Sequence, residues 1–186
     1  MKPLILFDCF GVIYDEIAPI VLKRYYGEEI KDAIRRDLFP LLDEGKMTLE
    51  EGFAKMVERY GGKVEDLIAL WKEGTRLRPE MAEFIKKHHD EFRYVLISNA
   101  PKGVVEKEFA TNSIGQYFEG VYSSSAIHLM KPNPEFFHLV LSAHAKEGDT
   151  VYFIDDTKAN FSLISSLPIR CIWFKGMESL EELFRR

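Results

Sequence analysis

Cysteine is scarce in this sequence: Cys9 and Cys171 are the only two in 186 residues, too few for a disulfide framework. Both lie in apolar stretches, which reads as a pair of buried, reduced thiols. Long apolar runs are missing too. The opening stretch to Phe7 is too short for a signal peptide and is interrupted by Asp8. No later run reaches the length of a membrane span. The expectation is a cytoplasmic protein with no membrane partner. Positive charge is not in excess either: 25 Lys and Arg face 30 Asp and Glu, a net charge of -5. That balance argues against a nucleic-acid partner, whose phosphate backbone calls for clustered Lys and Arg. It leaves room for one local basic pocket. Internal repeats and low-complexity tracts are absent.

What is present is an ordinary globular balance, 46% hydrophobic and 30% charged. The length suffices for one core domain with a modest insertion. Leu4-Ile5-Leu6-Phe7 is a short, continuous apolar run of the kind that forms a buried parallel strand. Tyr94-Val95-Leu96-Ile97 and Val151-Tyr152-Phe153-Ile154 repeat the pattern. Residues 120–123 and 170–174 predict two further strands. Helical patterns fall between them, over 79–90, 102–111, 133–145 and 158–166, with Pro79 and Pro134 in first turns, where proline is tolerated. Strands alternating with helices imply a three-layer α/β/α, Rossmann-like core built on a parallel sheet.

Residues 15–78 break the alternation. Their periodicity is helical throughout, predicting helices over 15–26, 28–37, 48–60 and 63–74, and Thr48 with Glu51 forms a capping-box pattern. Gly27, Pro40, Gly45, Gly61 and Gly62 punctuate the set. The expected organisation is a core of residues 1–14 and 79–186, with a small all-helical insertion over 15–78.

Three polar clusters directly follow three buried strands: Asp8, Ser98-Asn99 and Asp155-Asp156. Open α/β sheets bind ligands beyond the carboxyl ends of their strands, so the three clusters are expected at one site. Three carboxylates and a hydroxyl make a hard oxygen set that suits magnesium better than zinc. Adjacent acids such as Asp155 and Asp156 are costly without a cation, although helix capping is the alternative role. Lys131 follows a predicted strand and brings a fixed positive charge within reach of the same place.

These segments resemble the four motifs of the haloacid dehalogenase-like superfamily, in order and across almost the whole chain. Phe7-Asp8-Cys9-Phe10-Gly11-Val12-Ile13 is similar to the first motif and Leu96-Ile97-Ser98-Asn99 to the second. Lys131-Pro132 with Pro134 and Phe136 is similar to the third, and Asp155-Asp156-Thr157-Lys158-Ala159-Asn160 to the fourth. The helical insertion matches the position of the family's cap. The resemblance implies a magnesium-dependent phosphatase acting on a small-molecule phosphate ester. Asp8 would be the nucleophile and form an aspartyl-phosphate. Ser98 and the Asn99 backbone would hold phosphoryl oxygens, and Lys131 would neutralise charge. Asp8, Asp155, Asp156 and the Phe10 backbone carbonyl would bind magnesium. The oligomeric state expected is a monomer or weak homodimer.

One position departs from the family pattern. Phosphatases of the family usually carry a second aspartate two residues after the nucleophile, which protonates the leaving oxygen and then activates water. Here that position is Phe10. An aromatic there is closer to the dehalogenase branch, whereas the intact Asp155-Asp156 pair is phosphatase-like. Two alternatives therefore stand: a 2-haloacid dehalogenase-like hydrolase, with a cap arginine such as Arg24, Arg35 or Arg36 receiving halide, and a non-catalytic binder of a phosphorylated ligand or protein. Asp15 is the nearest downstream acid to replace the missing one, or else the N-cap of the first inserted helix. His128 is a further candidate for the site. Tyr25, Tyr26, Phe39, Phe53 and Trp71 read as core of the insertion.

Overall fold

The computed structural model describes residues 2–185. Five parallel strands form one sheet: β1 (Leu4–Phe7), β2 (Arg93–Ser98), β3 (Phe118–Ser123), β4 (Val151–Asp155) and β5 (Ile169–Trp173), in the order β3-β2-β1-β4-β5. Every residue of β1 is buried, as a central parallel strand covered on both faces requires. Successive side chains alternate between the faces. Ile5, Phe7, Tyr94, Leu96 and Ile154 pack on one side with α6 (Pro79–His88) and α7 (Val104–Thr111). Leu4, Leu6, Val95, Ile97 and Phe153 pack on the other with α9 (Pro134–His144). The result is the expected three-layer α/β/α core.

Between β1 and α6 the chain forms α1 (Ile17–Tyr26), α2 (Glu28–Asp37), α3 (Phe39–Asp43), α4 (Leu49–Tyr60) and α5 (Val64–Gly74). These helices bury a separate cluster that includes Leu22, Ile34, Leu42, Phe53, Met56 and Leu67. The capping box forms: the Thr48 hydroxyl accepts from Glu51 N at 3.2 Å and Thr48 N donates to the Glu51 carboxylate at 2.7 Å. The two connections to the core run side by side. Asp15 N donates to Arg76 O and Arg78 N to Ile13 O, each at 3.0 Å. At its other end the insertion rests on α8 (Ser124–Ile127), where Ser124 Oγ donates to Asp43 O at 2.6 Å and His128 Nδ1 lies 3.0 Å from Glu44 O. Gly45 makes that approach possible. Its φ is +73°, and a Cβ there would sit 2.5 Å from the Ser125 carbonyl oxygen.

Several expectations need correction. The helix expected over 158–166 is only a 3-10 turn, Lys158–Phe161. Of the following residues Ile164 alone is buried, and Pro168 disfavours a helical Leu167. Cys9 is buried as expected, but Cys171 is exposed, because β5 is the sheet's edge strand. Helix α1 begins after Glu16, so Asp15 is not its N-cap. Instead Asp15 accepts from Arg78 Nε at 3.0 Å across the paired connections.

Candidate active site

The registry of the sheet assembles the site. Phe7 lies opposite Leu96 on one side and Ile154 on the other. The residues that follow, Asp8, Ser98 with Asn99, and Asp155 with Asp156, therefore emerge together at the carboxyl edge. Lys131 joins them from the loop before α9. It is almost fully buried, and its Nζ is 2.7 Å from both Asp8 Oδ1 and Asp155 Oδ2. Asn99 fixes this loop: its Nδ2 donates to Lys131 O at 3.0 Å, and its Oδ1 accepts from Lys131 N at 2.8 Å.

The acids are held from behind. Asp8 Oδ1 accepts from Cys9 N at 2.7 Å. Asp155 accepts from Thr157 N at 2.7 Å and from Asn160 Nδ2 at 2.9 Å. The Asp156 carbonyl accepts from Trp173 Nε1 at 2.8 Å, while its carboxylate accepts from Thr157 Oγ1 at 3.2 Å. Gly11 makes room for that carboxylate: with φ +86°, a Cβ at this position would come 2.1 Å from Asp156 Oδ2. One carboxylate oxygen each from Asp8, Asp155 and Asp156 lies within 4.8 Å of the others. Three hard oxygen donors so placed, with a single ammonium among them, fit a divalent cation. Burial pushes the Asp8 carboxyl well above its usual range, against the pull of Lys131. A cation beside it would restore the ionised form. Burial opposes the Lys131 charge too, yet Asp8 and Asp155 outweigh it and push the ammonium up to about 12. Ser98 Oγ is buried and has no hydrogen-bond partner among the described residues. Such a hydroxyl is costly unless something else meets it.

These groups open into a cavity of about 210 Å³ roofed by the insertion. Arg35, Phe39 and Trp71 line it, so Phe39 and Trp71 face the cavity as well as packing in the inserted core. Of the arginines considered, Arg35 reaches it; Arg24 lines a separate surface depression, and Arg36 pairs with Asp37. Two acids that sequence reasoning passed over also line it, Glu16 and Asp43. Glu16 stands 4.0 Å from Arg35, and its carboxyl is raised by burial and then by Asp156. Burial pushes the Asp43 carboxyl up to about 7, against Lys131 and Arg35. Nothing distinguishes these two in the sequence from the other acids, because α3, which carries Asp43, falls where punctuation alone is legible. Asp15 and His128 lie outside this cavity. Phe10 packs against both the core cluster and the inserted cluster. It joins the two parts at the very position where a proton donor is expected.

A model of the haloacid dehalogenase-like hydrolase family matches residues 2–162. Among solved structures, the HAD family enzyme bt-2542 from Bacteroides thetaiotaomicron, in complex with magnesium and inorganic phosphate, has a TM-score of 0.77 at 21% identity and covers 100% of both chains. A HAD-like family hydrolase from Porphyromonas gingivalis also scores 0.77, at 20% identity, covering 100% of this chain and 99% of its own. The 2-haloacid dehalogenase from Pseudomonas syringae pv. Tomato DC3000 scores 0.59 at 16% identity, over 94% of this chain and 86% of that one. Among curated proteins, drimenol cyclase drtB of Aspergillus calidoustus is 23% identical over 146 residues, which is 75% of this chain. The chain spans only 28% of that relative's length. At these identities the solved structures establish the fold, while the family match runs through every loop that meets at the site: the chain belongs to the haloacid dehalogenase-like hydrolases.

Proposed function

We propose that this hydrolase is a magnesium-dependent phosphatase acting on a small phosphorylated metabolite, with residues 15–78 as its cap. The observation that carries the reading is the placement of Lys131 between Asp8 and Asp155, with Asp156 completing a cation-sized group of carboxylates. Asp8, Asp155, Asp156 and the Phe10 carbonyl would hold magnesium, which supplies Lewis-acid charge neutralisation when bound. The solved relative complexed with magnesium and inorganic phosphate supports the same choice of ion and ligand.

The chain's own residues divide the remaining work. Asp8 attacks the phosphorus and forms the aspartyl-phosphate. The Lys131 ammonium offsets negative charge on the nucleophile and the phosphoryl oxygens. Ser98 Oγ, unpartnered and buried, donates to one phosphoryl oxygen, and the Asn99 backbone receives another. The cavity volume of about 210 Å³ suits a small ester. Phe39 and Trp71 would exclude water once the cap closes.

The dehalogenase reading keeps two specific supports: Arg35 faces the cavity and Phe10 occupies the proton-donor position. It requires no metal, which leaves the Asp156 carboxylate beside Asp155 without a cation to offset it. Phosphate release from a panel of sugar 1-phosphates, sugar 6-phosphates and an activated aryl phosphate tests the proposal. Release is expected only with magnesium. Halide release from a 2-haloacid in the presence of a chelator, with no ester hydrolysed, would replace it with the dehalogenase reading. Neither activity, with phosphate-dependent thermal stabilisation, would make the chain a binder.

A further inference from the structure

Hydrolysis of an unactivated ester needs a proton for the leaving oxygen and a base for the attacking water, and Phe10 provides neither. The cavity contains two acids outside the magnesium group, Glu16 and Asp43. They are not equivalent. Glu16 is paired with Arg35 at 4.0 Å, so its carboxyl is engaged within the cap, although burial and the nearby Asp156 raise it. The Asp43 carboxylate has no hydrogen-bond or ion-pair partner among the described residues. Its backbone is nonetheless anchored, since Asp43 O accepts from Ser124 Oγ at 2.6 Å. Gly45 holds the same turn against Ser125.

On the phosphatase reading, on which this inference rests, we infer that Asp43 of the cap is the general acid and base of the reaction, standing in for the side chain missing at Phe10. In the first step an Asp8 oxygen bonds to phosphorus and the phosphorus–oxygen bond of the ester breaks. The Asp43 proton passes to the departing oxygen, releasing the alcohol. In the second step water attacks the phosphorus of the aspartyl-phosphate and gives a proton to the Asp43 carboxylate. The bond to Asp8 breaks, inorganic phosphate leaves, and both carboxyl groups return to their starting states. Burial favours this division of labour by pushing the Asp43 carboxyl up to about 7, where one group can both give and take a proton. The charges facing it are Lys131 of the core loop, Arg35 of α2 and Glu16 ahead of α1. The acid is thus delivered only when the cap is seated on α8, which couples closure to chemistry.

The test compares wild type and Asp43→Asn, with magnesium, in single-turnover reactions on phosphate esters of graded leaving-group pKa. Alkyl phosphates are expected to lose about 10²–10⁴-fold, and the ester of the most acidic phenol far less. The plot of log rate against leaving-group pKa therefore steepens. For alkyl esters, the wild-type fall in phosphorylation rate above a pH of about 7 disappears in the variant. Glu16→Gln does not steepen the slope. Thermal stabilisation by magnesium with orthovanadate checks that the Asn variant keeps its site. Should that variant not fold, Asp43→Ala with added formate decides: regained rate on alkyl esters supports the assignment, and none overturns it. Parallel slopes in wild type and Asp43→Asn, or an equal loss on every ester, would also overturn it and leave the phosphatase reading intact. If wild type hydrolyses no ester at all, both readings fall together.

Discussion

The two halves of the site are held very differently. On the core side Asp8, Lys131, Asp155, Asn99 and Asn160 form one bonded set at the ends of a buried sheet, with contacts between 2.7 and 3.0 Å. On the inserted side Arg35 and Glu16 meet only at 4.0 Å, and Asp43 has no side-chain partner among the described residues. The inserted helices bury their own cluster and touch the core mainly through Phe10, the paired connections and the turn at Gly45. On the proposed phosphatase reading the difference separates two demands. Attack on phosphorus needs fixed groups with little reorganisation. Admission and choice of substrate need a part that can lift away.

The comparison can be broken at four places. The largest effect is expected at the proposed nucleophile: Asp8→Asn should lower phosphate release by at least about 10⁴-fold, measured with magnesium, while the protein stays folded. Next is Lys131→Met, which leaves Asp8 and Asp155 buried side by side without their cation. Urea denaturation without magnesium should show a loss of about 3–5 kcal/mol, and added magnesium should restore part of it. An unchanged midpoint would mean that the core half is not held by this charge. Gly45→Val is aimed at the junction. It forces a β-branched residue to a φ of +73° and a Cβ to 2.5 Å from Ser125 O. A destabilisation of about 1–3 kcal/mol is expected, together with a rise in KM larger than the fall in single-turnover rate on an activated aryl ester. Equal changes in both would place the damage in the core instead.

The fourth place is probed by pH. Asp43 is raised in the folded protein from 3.8 to about 7, so folding stability is lost as pH rises between those values. Asp43→Asn removes that cost. Its stabilisation, read as a difference in Tm from wild type, should grow from pH 4 to pH 7 and level off above. A difference independent of pH would mean that Asp43 is not buried enough to matter.

The same two halves differ in how far the sequence discloses them. Asp8, Ser98 and Asp155 each follow a continuous apolar run, and a central strand buried on both faces leaves a signature of that kind. Asp8, Ser98 and Asp155 could therefore be placed at one sheet edge before any coordinate was known. The inserted helices were visible too, through periodicity and the Thr48–Glu51 box, but which of their faces meets the core is a tertiary fact. Glu16 and Asp43 look like any other surface acid until Gly45 seats the turn on Ser125. The exposure of Cys171 is not legible for a related reason: an apolar strand does not reveal whether it lies at the edge of its sheet. The helical pattern over 158–166 stops after one turn in the structure, because Ser165, Ser166 and Pro168 favour an irregular chain.

The most direct test of the central claim is to trap the intermediate. Wild type would be mixed with an activated aryl phosphate and magnesium, quenched in acid within the first turnover, and mapped by peptide mass spectrometry. The account predicts one added phosphoryl group, labile to hydroxylamine, on Asp8 and nowhere else, and none in Asp8→Asn. Phosphate released with no modified Asp8 at any quench time, or a phosphoryl group on another residue, would contradict it.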